Sequence, residues 1–398
     1  VLVLAGIKRS RKTLVMIVCG SLLTVAAFVA REMLFGVLYG PIVSVSVSND
    51  GRYAISAHRS KELVLWNIET QTHNIVSENA NLYSAYFVRG QDVFLWQDAN
   101  DVVRVQTVDG EVIRQFEHFS TYGHVISDDL QTYIASDDKW NLFSGYGESL
   151  VPVLADGISP SFIGSGKLLN LSIARDKPLL VSAGVGNNKS ALDQYSPIDP
   201  DRRFSKYKGV TLWSLGSLKP IAKLRGNTVK THATISPDGQ WVVSGDENGN
   251  LRFWNTNEPD EVHRGARDGL GVFQPGLPEG LNSLEYWDDS EIIDRPPGVP
   301  RPIFHVSFID GSEYFLRFNN RSHQAALFKA GNPWPQKYFD LGKLPALVTY
   351  GSQYSRNTAI ATAPEAGVLV MGHQSGGGIN VYTFNAQNQT LERTWVVN

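Results

Sequence analysis

The stretch Thr231-His-Ala-Thr-Ile-Ser-Pro-Asp-Gly-Gln-Trp241-Val-Val-Ser-Gly-Asp-Glu-Asn-Gly-Asn-Leu251-Arg-Phe-Trp-Asn255 decides the fold. It divides into three β-type runs separated by two turn signals. Ser236-Pro237-Asp238-Gly239 is the first turn, because proline presets φ and glycine accepts the positive φ that other residues resist. Glu247-Asn248-Gly249-Asn250 is the second. Trp241 to Gly245 and Leu251 to Trp254 are rich in the aromatic and β-branched residues that suit a pleated surface. One such unit cannot bury both of its faces, so its siblings are expected along the chain.

They are found by aligning on Trp254. The clearest is Val43 to Ser56 followed by Leu63-Val64-Leu65-Trp66; the aligned positions of the others are Gln106, Phe143, Trp213, Phe328 and Tyr382. Three of the six spacings lie near the roughly 40 to 45 residues of a propeller repeat. The long ones, from Phe143 to Trp213 and from Trp254 to Phe328, each contain an insertion, near 184–209 and 259–302. An eighth unit would have to lie within Leu281 to Ile293.

The pattern resembles a WD40 repeat, in which Ser-Pro-Asp-Gly, Ser-Gly, a turn and a strand ending in tryptophan follow one another. The resemblance implies an all-β, seven-bladed β-propeller over residues 43–398, made of degenerate repeats. It departs from the family in two ways: Asn248 stands at the expected turn aspartate of the best unit, and Gly226 is followed by Asn227 rather than histidine. Closure of the ring is an open point, because the first unit leaves no earlier strand to complete the last.

Ahead of the propeller, residues 1–12 are basic, 13–30 apolar and 31–42 a linker. Thr13 to Ala30 carries no charge over 18 residues, roughly 27 Å as a helix, close to a bilayer core. Lys8, Arg9, Arg11 and Lys12 precede it, while Arg31 and Glu32 cancel beyond it. The positive-inside rule then expects a single-pass transmembrane anchor with a cytoplasmic N-terminus and an exported propeller. The alternative is a secretory signal cleaved near Ala26 or Ala27. Cys19 is the sole cysteine, so no intramolecular disulfide can form. An exported domain without disulfides points to a bacterial inner membrane and periplasm.

The net charge of −3 gives no basic field for nucleic acid. Nine histidines are scattered without metal-ligand spacing, and Ser375-Gly376-Gly377-Gly378 lacks the Lys-Ser/Thr of a phosphate loop, so it reads as a hairpin turn. Asp288, Asp289, Glu291 and Asp294 read as a solvated loop. No catalytic residue, metal site or cofactor is assigned.

Long loops in a compact fold are usually functional or disordered, so the insertions carry the candidate partner-binding residues. These are Arg202, Arg203, Phe204, Lys206, Tyr207 and Lys208 in the first, and Phe273, Tyr286 and Trp287 in the second. The expected function is a membrane-anchored, non-catalytic protein-interaction scaffold outside the cytoplasm. Two alternatives stand beside it: an enzyme or small-ligand binder using the central channel, and an immunity or inhibitor protein against an extracytoplasmic toxin.

Overall fold

A computed structural model describes residues 40–81, 85–88, 90–117, 123–136, 142–145, 151–152, 168–184, 210–224, 231–246, 249–264, 303–319, 324–341, 359–373 and 377–397. They form seven four-stranded sheets, each an antiparallel meander of consecutive strands.

The first sheet holds β1 (Ile42–Val47), β2 (Tyr53–His58), β3 (Leu63–Asn67) and β4 (Thr72–Ser77). The second holds β5 (Tyr86–Phe87), β6 (Val93–Gln97), β7 (Val102–Thr107) and β8 (Val112–Glu117); the third, β9 (Gly123–Ile126), β10 (Tyr133–Ser136), β11 (Leu142–Ser144) and β12 (Val151–Pro152). The fourth comprises β13 (Leu168–Ile173), β14 (Leu179–Gly184), β15 (Val210–Ser214) and β16 (Pro220–Leu224). The opening stretch is the fifth: β17 (Thr231–Ile235), β18 (Trp241–Asp246), β19 (Leu251–Asn255) and β20 (His263–Arg264). The sixth comprises β21 (Ile303–Asp310), β22 (Tyr314–Asn319), β23 (Gln324–Lys329) and β24 (Pro335–Asp340), and the last β25 (Ile360–Ala363), β26 (Val368–Gly372), β27 (Ile379–Asn385) and β28 (Thr390–Val396).

Apolar side chains weld neighbouring sheets, and every junction has its own cluster. Val181, Ala183, Ala233 and Val242 join the fourth sheet to the fifth; Phe253, Phe308, Phe315 and Phe328 join the fifth to the sixth. Corresponding clusters occupy the remaining junctions. The ring closes through Ile42, Val45 and Trp66 of the first sheet against Val368, Val370 and Val381 of the last. Burial of this kind is the main favourable contribution to folding. The chain is therefore an all-β β-propeller.

Closure uses side chains and one backbone bond rather than an exchanged strand. Ile42 N donates to His373 O at 2.9 Å, and Trp395 meets Trp66 edge-on at 6.1 Å. Gly372 permits the approach: a Cβ there would lie 2.5 Å from Ile42 Cγ2.

The repeat signal has a steric basis. Between the second and third strands of each sheet, one pair of facing residues fills the same place in the core. It is Ala54 with Trp66, Leu180 with Trp213, and Val242 with Trp254 where the third strand carries the tryptophan. In the second sheet the facing pair is Phe94 and Gln106, with the aromatic on the other strand. In the third it is Tyr133 with Gly145, whose N donates to Tyr133 O at 3.0 Å. Phe143 was thus aligned two residues early. In these sheets the larger side chain comes from either strand, while in the sixth Phe315 and Phe328 fill the place together as rings stacked 5.3 Å apart.

One further expectation changes and one holds. The second insertion begins later than 259, because His263 and Arg264 pair with Phe253 and Arg252 as a fourth strand. The glycine run spans the connection between β26 and β27, which are antiparallel neighbours. Residues 13–30 lie outside the described residues; among those described, no helix is long and apolar enough to cross a membrane.

Candidate interaction faces

Meander topology sends the first-to-second and third-to-fourth strand connections to one face of the ring, and all others to the opposite face. The two faces are built differently.

On the first, every sheet turns within a few residues. In three sheets the turn is the same device. Ser48 Oγ donates to Asp50 Oδ1 at 2.7 Å and accepts from Tyr53 N at 2.9 Å. Ser236, Asp238 and Trp241 repeat it at 2.6 and 2.9 Å; Ser127 bonds Asp129 and accepts from Thr132 N at 2.8 Å. Gly51 and Gly239 take φ of 73° and 67°, as the turn requires, and Leu130 holds 58° at the same place in the third sheet. The Ser127 hydrogen bond and then Gln131 N hold the Asp129 carboxyl below its usual range.

At the axis of this face, Arg175 in the turn of the fourth sheet pairs with Glu365 in the turn of the last. Asn49 Nδ2 of the first sheet donates to the other Glu365 oxygen. Beneath lies a cavity of about 120 Å³ lined by residues that include Ser46, Ser172 and Thr362. Its lining offers hydroxyls, aliphatic carbon, the Asn49 amide and Tyr86, with no carboxylate, imidazole or ammonium. Among the described residues no group of three or more His, Cys, Asp or Glu could hold a metal ion.

The second face carries the long connections. They leave from Pro152 and re-enter at Leu168, from Gly184 to Val210, from Arg264 to Ile303, and from Asp340 to Ile360. The strand ends beneath them are fixed by buried polar groups. Asp246, fully buried, accepts from Asn250 N at 2.9 Å and pairs with Arg252 at 3.2 Å. It holds the end of β18, whereas Asn248, at the expected turn-aspartate position, lies outside the described residues. In the second sheet Asp98 does the same work, accepting from Asn100 N, Val102 N and Arg104 at 2.8, 3.0 and 2.7 Å. Burial would raise the Asp98 carboxyl, but the hydrogen bonds from Arg104, Val102 N and Asn100 N outweigh it and hold it low.

In the first sheet His58 occupies this position. Its Nε2 lies 2.8 Å from Ser56 Oγ, which also accepts from Trp66 Nε1 at 2.8 Å, and its Nδ1 lies 2.8 Å from Gly40 O. Trp213 likewise donates to Ser182, at 2.8 Å. The second sheet exchanges the roles between strands, Trp96 donating to Gln106 Oε1 at 2.9 Å. These chains satisfy buried donors and hold the strand ends in register.

His232 and His305, on the first strands of the fifth and sixth sheets, meet as tilted rings with centroids 4.5 Å apart. Burial depresses both, His232 to about 4; the neighbouring His232 adds to the depression of His305.

All nine side chains proposed for partner binding, Arg202, Arg203, Phe204, Lys206, Tyr207, Lys208, Phe273, Tyr286 and Trp287, lie outside the described residues, as does the 288–294 acidic cluster. The strand ends that flank their segments, Gly184 and Val210 for the first and Arg264 and Ile303 for the second, stand at the long-connection face. The cross-axis contact has no local sequence signal, since Arg175 and Glu365 stand 190 residues apart, whereas the buried groups beneath the long-connection face are near neighbours in the chain, as Ser56, His58 and Trp66 are.

Known proteins can now be set beside this geometry. Residues 218–255 match the WD40 family, described as WD domain, G-beta repeat. A segment of 52 residues, 13% of the chain and 9% of the relative, is 46% identical to the APC/C activator protein CDH1 of Saccharomyces cerevisiae. Another match, 38% over 47 residues, covers 12% of the chain and 6% of the anaphase-promoting complex subunit cdh1 of Dictyostelium discoideum. The chain thus matches under a tenth of the length of either curated relative. In fold it is similar to the crystal structure of the Myceliophteria thermophila Cps50 (Swd1) β-propeller domain, with a TM-score of 0.57 and 12% identity over 87% of this chain and 97% of that one. These relatives are eukaryotic, and they lend no support to a bacterial source. The chain is a β-propeller that carries a WD40 repeat in its fourth and fifth sheets.

Proposed function

We propose that the seven sheets are the blades of a non-catalytic protein-interaction scaffold, and that the long-connection face is where it engages its partner. The single observation that carries this reading is the asymmetry of the connections. Lengthening a loop costs only about 0.6 kcal/mol per doubling, so a rigid ring can carry long segments on one face with little loss of stability. Propellers hold such segments at fixed positions, and loops held by a rigid scaffold are where binding residues concentrate. One curated relative is named an activator of APC/C and the other a subunit of the anaphase-promoting complex, which is consistent with a protein partner. The test replaces residues 266–301 with a short Gly-Ser linker and compares partners recovered after crosslinking. Loss of partner recovery with an unchanged melting transition is expected; full recovery would remove this face from the interface.

The exported placement stays a proposal resting on the charge asymmetry around Thr13 to Ala30. A reporter fused after Asn398 that works only outside the cytoplasm is expected to be active; inactivity, with a cytoplasmic reporter active instead, would end that placement.

A further inference from the structure

Three turns of the short-turn face, from the first, second and last sheets, enclose a cleft of about 640 Å³ whose polar lining is Asn49, Asp50, Arg52, Gln91, Asp92 and Glu365. Three carboxylates thus face one guanidinium. That balance is local, since over 398 residues acids exceed bases by 39 to 36. Asp129, Asp238 and Asp310 stand on the same face, while Asp176 there holds Arg175 through both of its oxygens. Burial and then Glu313 push the Asp310 carboxyl above its usual range.

The cleft also shows what its acceptors hold. Arg52 reaches both Asp50 and, at 3.0 Å, Asp92. Arg175 arrives from the far side of the axis onto Glu365, while the second Glu365 oxygen takes Asn49 Nδ2. The chain therefore delivers guanidinium groups to this rim from two directions. Arg175 and Glu365 are 39% and 26% exposed, so their pairing is solvent-screened and yields to a competing cation.

We propose that this cleft is a second docking surface, which receives an extended arginine-bearing segment of a partner protein, and that Arg175 is an internal competitor seated where a partner guanidinium would sit. Other occupants fit less well. Nucleic acids and anionic membranes would meet the carboxylates, and a divalent cation would meet Arg52 inside its coordination sphere. A guanidinium suits carboxylate pairs better than an ammonium because its planar fork presents two parallel donors. The volume falls within the roughly 300–1,000 Å³ of specific ligand sites. This surface is independent of whatever engages the long-connection face.

The test is fluorescence anisotropy of the full chain with a fluorescein-labelled peptide of alternating arginine and glycine, and with its glutamate counterpart. The arginine peptide is expected to bind and the glutamate peptide not to. Glu365→Gln should weaken binding about tenfold, as loss of a charge-assisted contact does. Asp92→Asn, in a different turn, should also weaken it, which keeps the test decisive if Glu365→Gln misfolds. Arg175→Gln should tighten binding about threefold or more by removing the competitor. Lys177→Gln removes the same charge from the same turn, but Lys177 packs over Gly239 and not in the cleft. Its affinity should stay within about twofold of the unaltered chain. Equal changes in Arg175→Gln and Lys177→Gln, or no binding of the arginine peptide to either the unaltered chain or Arg175→Gln, would overturn the proposal.

Discussion

The two faces of this ring are fed by the same strands, yet one turns within a few residues everywhere while the other runs from Arg264 to Ile303 and from Gly184 to Val210 before re-entering. The short face is tied by its own turn side chains: Ser48 to Asp50, Ser236 to Asp238, and Arg175 across the axis to Glu365. The long face is tied one layer down, by Asp98, Asp246 and His58 at the strand ends. What lies above those buried groups can vary in length without disturbing register. Stability and connection length are thus separated along the axis of the molecule, which is the ground for proposing recognition at the long-connection face.

The largest expected effect comes from a change that ignores the distinction. Trp66 is fully buried at the ring seam against Trp395 and donates to Ser56. Trp66→Ala should cost about 3–5 kcal/mol, because it leaves a cavity and an orphaned hydroxyl chain at once. Denaturant unfolding should show one cooperative loss for both faces. Unfolding of the first and last sheets alone would mean that the faces are stabilised separately.

Acid should separate them. His58, His232, His305 and His373 stand at strand ends toward the long face, and burial depresses each below 6.5. A depressed imidazole contributes stability that is full above the unfolded pKa and is lost as pH falls through the window down to the folded one. For His232 that window runs from 6.5 to about 4 and is worth of the order of 3 kcal/mol. On the short face the Asp129 carboxyl is lowered by Ser127 and then Gln131 N. Its contribution is present above 3.8 and lost only below it. Hydrogen exchange at pH 5 should expose the β17 and β21 amides while the turn from Ser127 to Thr132 stays protected. Simultaneous loss of both would remove the histidines as the cause.

The propeller was legible because a few units announce themselves with tryptophan on the third strand, as at Trp66, Trp213 and Trp254. The second and third were blurred for a steric reason: the core position can be filled from either strand, so Phe94 with Gln106 and Tyr133 with Gly145 invert the pattern. A readable signal did exist. The serine and aspartate two residues apart at Ser48, Ser127 and Ser236 mark the same turn and would have set the register of the third unit. Closure was not legible, since it depends on Gly372 leaving room for Ile42, 330 positions away by sequence number. The cleft was hidden for the same reason. Asn49, Asp92 and Glu365 belong to three turns, and Arg175 meets Glu365 across 190 residues of chain.

The most direct test of two unlike faces is site-specific photo-crosslinking. A photoreactive residue at Arg264, exposed where the longest connection leaves the ring, is compared with one at Ser217, exposed in a short turn of the fourth sheet away from the cleft. The partner should be captured from position 264 and not from position 217; capture at 217 with none at 264 would contradict the assignment of the long-connection face.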